Sequence, residues 1–279
     1  MNKLYGVIGS PIAHSMSPLM HNDAFFHLKM NGYYHAFDVP EEKLQEAVQA
    51  FRLLKVAGFN VTIPHKVKIM EFLDEVDPEA QMIGAVNTVV NHEGRLIGYN
   101  TDGRGYLHSL LAVVTKPLTD SLILVIGAGG AARGVVAAIA NDGAKEIMIT
   151  NRTLQKAEII KSNCHRLKSN INVCTLEEAR QEIERYDIII NTTSIGMSPN
   201  TEEIPIEINN IKAGVILSDL IYNPLKTKWL TLGEQKGAII HNGVGMFVNQ
   251  GALAFEKWTR IKPDTERMKE IVLKQLGGK

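Results

Sequence analysis

The chain has 279 residues, enough for about two domains of ordinary size and for a core that needs no disulfide or metal to hold it. Hydrophobic residues make up 45% and charged residues 22%, a globular composition that excludes disorder, collagen and coiled coil. Thirty Lys and Arg balance thirty Asp and Glu, so neither nucleic acid nor an anionic membrane is the expected partner.

Residues 4–9 read as a strand, and the apolar run is broken at Gly9, Ser10 and Pro11, too early for a signal-peptide core. The helix that follows opens at Ser17-Pro18, a cap with a first-turn proline, and closes near Asn31-Gly32. Residues 33–39 form a second strand. Residues 41–55 form an amphipathic helix with Leu44, Val48, Phe51 and Leu54 on one face, ended by Gly58. A third strand covers 60–63, and Pro64 again sits where a helix starts. Segments 85–90 and 96–100 flank His92-Glu93-Gly94 as a hairpin.

Beyond residue 104, short aliphatic strands alternate with helices. Strand 122–126 leads through a glycine turn to a helix over 131–140, which Asn141-Asp142-Gly143 stops. Strand 146–150, a polar helix near 154–167, a strand near 172–174 and a helix over 176–184 follow. Segments 187–191 and 214–219 are continuous apolar runs, as expected for strands covered on both faces. This pattern predicts parallel βαβ units and a doubly wound α/β sheet, joined to a less regular N-terminal α/β domain. The tail reads as two helices, 246–258 and 263–276, packing back on the first domain. Residues 121–140 carry one charge, Arg133, and resemble a membrane span by hydropathy, but Gly127, Gly129 and Gly130 and the lack of a second span favour a buried strand, turn and helix. Cys164 and Cys174 have neither CxxC nor zinc-site spacing, which points to a reducing, cytoplasmic setting.

Chemistry concentrates in two places. Gly127-Ala128-Gly129-Gly130-Ala131-Ala132-Arg133 follows a strand and opens a helix, the arrangement in which backbone amides approach a pyrophosphate at a helix N-terminus. An NAD site places an acid at the end of the next strand, to grip the ribose 2′-hydroxyl. Here that strand ends Thr150-Asn151-Arg152-Thr153, with Lys156 one turn later, so the expected cofactor is NADP with Arg152 on its 2′-phosphate. In the N-terminal part, Asn60-Val-Thr62-Ile-Pro-His-Lys66, Asn87-Thr88 and Asn100-Thr101-Asp102 supply hydroxyls, amides, one ammonium and one carboxylate, a set suited to a small polyhydroxylated acid.

These motifs resemble the shikimate dehydrogenase family. The resemblance runs from residue 5 to about 260 through Gly9-Ser-Pro-Ile-Ala-His-Ser15, Ser17-Pro18, Asn60 to Lys66, Gly84-Ala-Val-Asn-Thr88, Asn100-Thr-Asp-Gly103, Gly127 to Ala131, Asn151-Arg-Thr153, Asn191-Thr-Thr-Ser194, Gly196-Met197, Asp219, Tyr222-Asn-Pro224 and Gln250-Gly251. It implies reversible, NADPH-dependent reduction of 3-dehydroshikimate to shikimate on the way to aromatic amino acids. It implies a substrate domain over 1–103 plus 240–279, and a Rossmann domain over 104–239. By the same resemblance Lys66 and Asp102 are the catalytic pair. Ser15 and Ser17 hold the substrate carboxylate, and Thr62, Asn87, Tyr222 and Gln250 surround the ring and its hydroxyls. The cofactor is assigned to Gly127, Ala128, Gly129, Gly130 and Ala131, to Asn151, Arg152, Thr153 and Lys156, and on the nicotinamide side to Thr192, Ser194, Met197, Leu220, Gly243 and Met246.

The expected partners are small molecules, with no nucleic acid, membrane or metal, and the chain is expected as a monomer or homodimer. The alternatives are a quinate-acting dehydrogenase, often NAD-dependent, and an NADP-binding sensor without turnover. A metal enzyme is a third, for which His14 and His21 are the nearest pair, but no HxxxH or HExxH spacing occurs.

Overall fold

Two sheets account for the strands in the computed structural model, which describes residues 3–277. The chain divides into two compact units: one holds the described residues through Asp102 together with Val248–Gly277, the other Gly103–Phe247.

The first unit contains β1 (Lys3–Gly9), α1 (Ser17–His27), β2 (Gly32–Asp38), α2 (Leu44–Leu53), β3 (Gly58–Val61), β4 (Glu75–Val76), α3 (Pro78–Ile83), β5 (Thr88–His92) and β6 (Arg95–Tyr99). Its sheet runs β2-β1-β3-β5-β6-β4, parallel among the first three strands and antiparallel at β3–β5 and β5–β6. Phe37, Phe51 and Phe59 meet edge to face at 4.9 and 5.0 Å in its core, where the apolar stripe of α2 is buried.

The second unit takes most of α4 (Asp102–Leu111) and then β7 (Leu122–Ile126), α5 (Gly130–Asp142), β8 (Glu146–Thr150), α6 (Leu154–Asn163), β9 (Asn170–Cys174), α7 (Leu176–Gln181), β10 (Ile188–Asn191), β11 (Ile216–Asp219), α8 (Lys228–Gln235) and β12 (Ile239–His241). All six strands are parallel in the order β12-β11-β10-β7-β8-β9. The order reverses between β7 and β10, and the crevice beyond the carboxyl ends of those strands is where doubly wound sheets bind ligands. The apolar stretch 121–140 is β7, a turn and the 13-residue α5, and among the described residues no helix is long and apolar enough to cross a membrane.

The tail forms α9 (Val244–Thr259) and α10 (Thr265–Gln275). α10 packs on α1 in the first unit, where Arg267 Nε and Nη2 donate to the two carboxylate oxygens of Asp23 at 2.6 and 2.8 Å. Residues 240–247 group with the second unit, and not with the first as the sequence reading had it, because β12 extends the second sheet and the start of α9 packs there: a Cβ on Gly245 would come within 2.0 Å of Ser109 Oγ.

Three local expectations change. Helix α2 ends at Leu53 with Lys55 in the left-handed region at φ 54°, so Gly58 does not stop it. Gly58 instead opens β3 where any Cβ would lie 2.3 Å from the Trp258 ring, whose Nε1 donates to Val89 O at 2.9 Å. Pro64 starts no α-helix; it follows a cis peptide in a turn, and a short 3₁₀ segment begins at Lys68. Segment 214–219 becomes strand only from Ile216, since Gly214 turns the chain at φ 75°.

At the amino ends of β7, β10 and β11, Asp187 ties three segments together. Its carboxylate accepts from Leu122 N at 2.8 Å, Lys116 Nζ at 2.8 Å and Lys212 Nζ at 2.5 Å. Burial pushes this carboxyl up, but the two ammonium groups and the backbone N–H outweigh burial and hold it at about 2, against an ordinary 3.8. A lowered folded pKa contributes stability above the unfolded value that is lost as pH falls through the folded one. The urea midpoint should therefore drop between pH 3.8 and about 2. Asp187→Asn should flatten that part of the profile, and an unchanged acid limb in the variant would contradict the assignment.

Candidate active site

In the first unit the chemistry centres on one amide. Asn87 is 2% exposed, at the approach to β5. Its Oδ1 accepts from Thr101 N at 2.8 Å and from the Thr88 hydroxyl at 2.9 Å. The Thr88 oxygen in turn accepts from Asn60 Nδ2 at 3.2 Å, which directs its hydrogen toward Asn87. With the oxygen so placed, Asn87 Nδ2 faces Asp102 Oδ1 at 2.7 Å and Thr101 Oγ1 at 2.9 Å. Asp102 Oδ2 then accepts from Lys66 Nζ at 2.6 Å.

The pair is nearly dry, with Lys66 13% and Asp102 4% exposed along their side chains. Asp102 opens α4, and Asn100 Oδ1 accepts its N–H at 3.1 Å. Lys66 sits in the turn after β3, where its backbone O accepts from Val86 N at 2.7 Å. The neighbouring His65, fully buried, bonds Val39 O through Nε2 at 2.6 Å and anchors that turn. Gln250, on α9, lies 3.4 Å from Asn87 Nδ2 through its Oε1.

Ser17 begins α1, and its N–H donates to Ser15 Oγ at 3.3 Å. The buried phenol of Tyr34 donates to Asn60 Oδ1 at 2.8 Å. Burial keeps the Tyr34 hydroxyl well above its ordinary pKa, so it serves as a neutral donor. Tyr34, Asn60, Thr88, Asn87, Asp102 and Lys66 thus form one connected network. Thr62 lies at the end of β3, and a Cβ on Gly9 would sit 2.4 Å from its methyl group. His21, fully buried, stacks on Tyr34 at 4.5 Å, and burial lowers its pKa to about 3.

The second unit carries the glycine turn. Gly127 has φ 112°, its N–H donates to Thr150 O at 2.8 Å, and a Cβ on it would meet Thr192 Oγ1 at 2.4 Å. Gly129 takes the N-cap position of α5, whose first turn has no side-chain cap, and a Cβ there would meet nothing within 4 Å. That leaves backbone N–H groups and the positive end of the helix open to an anion. Ala128 is buried below the turn, and Gly130 and Ala131 begin α5. Ala132, at the third position of the glycine pattern, is fully buried against the sheet. Past β8, Asn151 Nδ2 donates to Thr153 O at 2.8 Å, while Arg152 and Lys156 are exposed and pair with no acid among the described residues. The turn, the uncapped helix end and these free cations fit a dinucleotide carrying a 2′-phosphate.

Thr192, Ser194 and Met197 lie on the loop after β10, and Leu220 and Tyr222 on the loop after β11. Gly243 packs so tightly on the latter that a Cβ would come within 2.0 Å of Leu220 O. Met246 is buried on α9, and the Tyr222 ring meets Phe247 at 4.5 Å with a 31° tilt. Under these loops lies Asp219, fully buried. Burial raises its carboxyl to about 6, opposed by bonds from Ile221 N, Thr227 and Asn191. Asn191 and Asp219 stand inside recognisable motifs, yet the sequence assigned them no role, and Asn60, Thr88 and Thr101 entered only as members of a polar set. Tyr34 and Phe247 carried no signal at all, because their partners are distant in sequence.

Three family models match the chain: the shikimate dehydrogenase substrate binding domain over residues 7–89, shikimate / quinate 5-dehydrogenase over 110–205, and the shikimate 5′-dehydrogenase C-terminal domain over 243–273. The shikimate dehydrogenase (NADP(+)) of Bacillus cereus strain AH187 is 54% identical over 278 residues, covering 100% of both chains. Shikimate 5-dehydrogenase from Thermus thermophilus, solved with NADP(H) and shikimate, matches with TM-score 0.87 and 37% identity over 98% of this chain and 99% of that one. The Listeria monocytogenes shikimate 5-dehydrogenase, solved with shikimate and NAD, matches with TM-score 0.88 and 37% identity over 97% and 96%.

Gly127→Ala places a side chain at φ 112° and against Thr192 Oγ1. Calorimetric titration should show NADP binding lost in a protein that still melts cooperatively, and near-normal affinity would refute this account of the turn.

Proposed function

As a member of the shikimate dehydrogenase family, the chain is an NADP-dependent oxidoreductase acting on a CH–OH group, and we propose how its own residues interconvert 3-dehydroshikimate and shikimate. The buried Lys66–Asp102 pair is the observation that carries the reading. Bound NADPH supplies the hydride accepted by the ketone carbon.

As negative charge grows on the ketone oxygen, Lys66 Nζ–H donates to it and then yields its proton. In the oxidative direction the amine takes the hydroxyl proton. Asp102 keeps the ammonium aimed through Oδ2, and its bond from Asn87 to Oδ1 prevents the carboxylate from swinging away. Few waters reach the pair, so its electrostatic effect is larger than it would be in bulk solvent.

Ser15 and Ser17 offer hydroxyls to the substrate carboxylate, and Thr62, Asn87, Gln250 and Tyr222 are assigned to its ring and hydroxyls. On this reading the first unit recognises the substrate and the second the cofactor. The glycine turn and the start of α5 take the pyrophosphate. Arg152, with Asn151, Thr153 and Lys156, takes the 2′-phosphate, while Thr192, Ser194, Met197, Leu220, Gly243 and Met246 take the nicotinamide. A cytoplasmic location and a monomeric or homodimeric state belong to the same proposal.

Lys66→Ala should lower kcat for shikimate oxidation by roughly a hundredfold or more, the usual scale for a general acid or base, with KM changed little. The rate is read from absorbance of the reduced nicotinamide. A near-normal kcat would remove Lys66 from the mechanism. Arg152→Ala should raise KM for NADP by about tenfold or more, the scale of a lost charge-assisted hydrogen bond, and leave KM for NAD almost unmoved. Equal effects on the two cofactors would contradict the 2′-phosphate assignment.

A further inference from the structure

We infer that Asp219 is a positioning residue for the nicotinamide half of the cofactor, acting through the loops that follow β10 and β11. The inference rests on the reading above, in which Thr192, Ser194, Met197 and Leu220 border the nicotinamide. Asp219 is the last residue of β11 and has no exposed surface, so it touches no ligand itself. Its carboxylate receives three donors from three separate places: Asn191 Nδ2 at 3.1 Å, Ile221 N at 3.0 Å and the Thr227 hydroxyl at 2.9 Å. A carboxylate buried this deeply is costly unless such bonds compensate it.

Asn191 carries the constraint into the other loop. Its Oδ1 accepts from Thr193 N at 3.0 Å and from the Thr193 hydroxyl at 2.7 Å, while its second Nδ2 hydrogen reaches Ile195 O at 3.3 Å. Both loops are therefore held from below by one Asn–Asp contact. Backbone bonds close the frame, from Leu220 N to Asn191 O at 3.0 Å and from Ser198 N to Asn223 O at 3.2 Å.

The sheet does not need this contact. Asn191 and Asp219 already face each other in the parallel ladder of β10 and β11. What the side chains add is the shape of the loops beyond the strand ends. Thr227 accepts from Leu230 N at 3.3 Å as the cap of α8, which commits its own hydroxyl hydrogen to Asp219. Only a carboxylate, with two acceptor oxygens, serves all three donors at once; an amide has one such oxygen and opens one side of the frame.

The test compares NADP with 2′-phospho-ADP-ribose, which lacks the nicotinamide, by calorimetric titration of the wild type, Asp219→Asn and Asn191→Ala. The first variant preserves size and polarity, and the second removes the link to the neighbouring loop while leaving Asp219 two of its donors. Leu220→Ala serves as the control for the reading itself. Both frame variants should lose about tenfold in NADP affinity and in kcat, the scale of one broken buried hydrogen bond to a charged group, and bind 2′-phospho-ADP-ribose as the wild type does. Equal weakening of both ligands, or of neither, overturns the inference. If Leu220→Ala separates the two ligands but the frame variants do not, the nicotinamide reading stands and the role of Asp219 falls. If Leu220→Ala and the frame variants all fail to separate them, the reading falls and the inference with it.

Discussion

The amide of Asn87 can be set only one way round, and the proposed reaction centre follows from that. Thr101 N–H and the Thr88 hydroxyl both point at its oxygen. Turned over, the amide would face donors with donors and present its oxygen to a carboxylate, two repulsions in a site from which water is nearly absent. With the amide fixed, one oxygen of Asp102 is spoken for and the other has Lys66 as its partner. A buried ion pair is tolerable only when its remaining hydrogen-bonding capacity is met, and Asn87 meets part of it.

The second unit repeats this arrangement for a different end. There too an asparagine with a saturated amide donates to a buried aspartate, here at the end of a strand and not at the start of a helix. In the first unit the aspartate keeps an oxygen for Lys66, the proposed proton donor. In the second, the donors come from the end of β10, the loop after β11 and the cap of α8. The difference lies in the neighbours. Among the described residues no cation pairs with Asp219 to offset desolvation, and burial raises its carboxyl to about 6.

Much of this was legible in the residues, and what was missed has a common physical cause. The strands Leu122–Ile126 and Glu146–Thr150 coincide with the structure because an aliphatic run between turn residues is a purely local signal. The lack of an acid after Thr150, with Arg152 in its place, was likewise local. Gly58 was misread as a helix stop because the reason for a glycine there is Trp258, 200 residues further along the chain in the same unit. Pro64 misled because a proline serves a turn as readily as a first helical turn. Residues 240–247 were placed with the wrong unit because a three-residue edge strand has too little pattern to be seen. The residues to which the proposal gives chemistry stand in motifs that are local in sequence. Those that hold them, such as Tyr34 and Thr227, become visible only once the fold brings distant segments together.

The exposure of Arg152 has a consequence for how the protein responds to its medium. The cofactor's extra phosphate would be met at the surface, where counterions penetrate and the Debye length at physiological ionic strength is about 8 Å. The Lys66–Asp102 pair lies where counterions scarcely enter. On the proposed assignment, rising salt would erode the choice between the two dinucleotides while leaving the Lys66–Asp102 pair almost untouched, giving discrimination and chemistry different sensitivities to ionic strength.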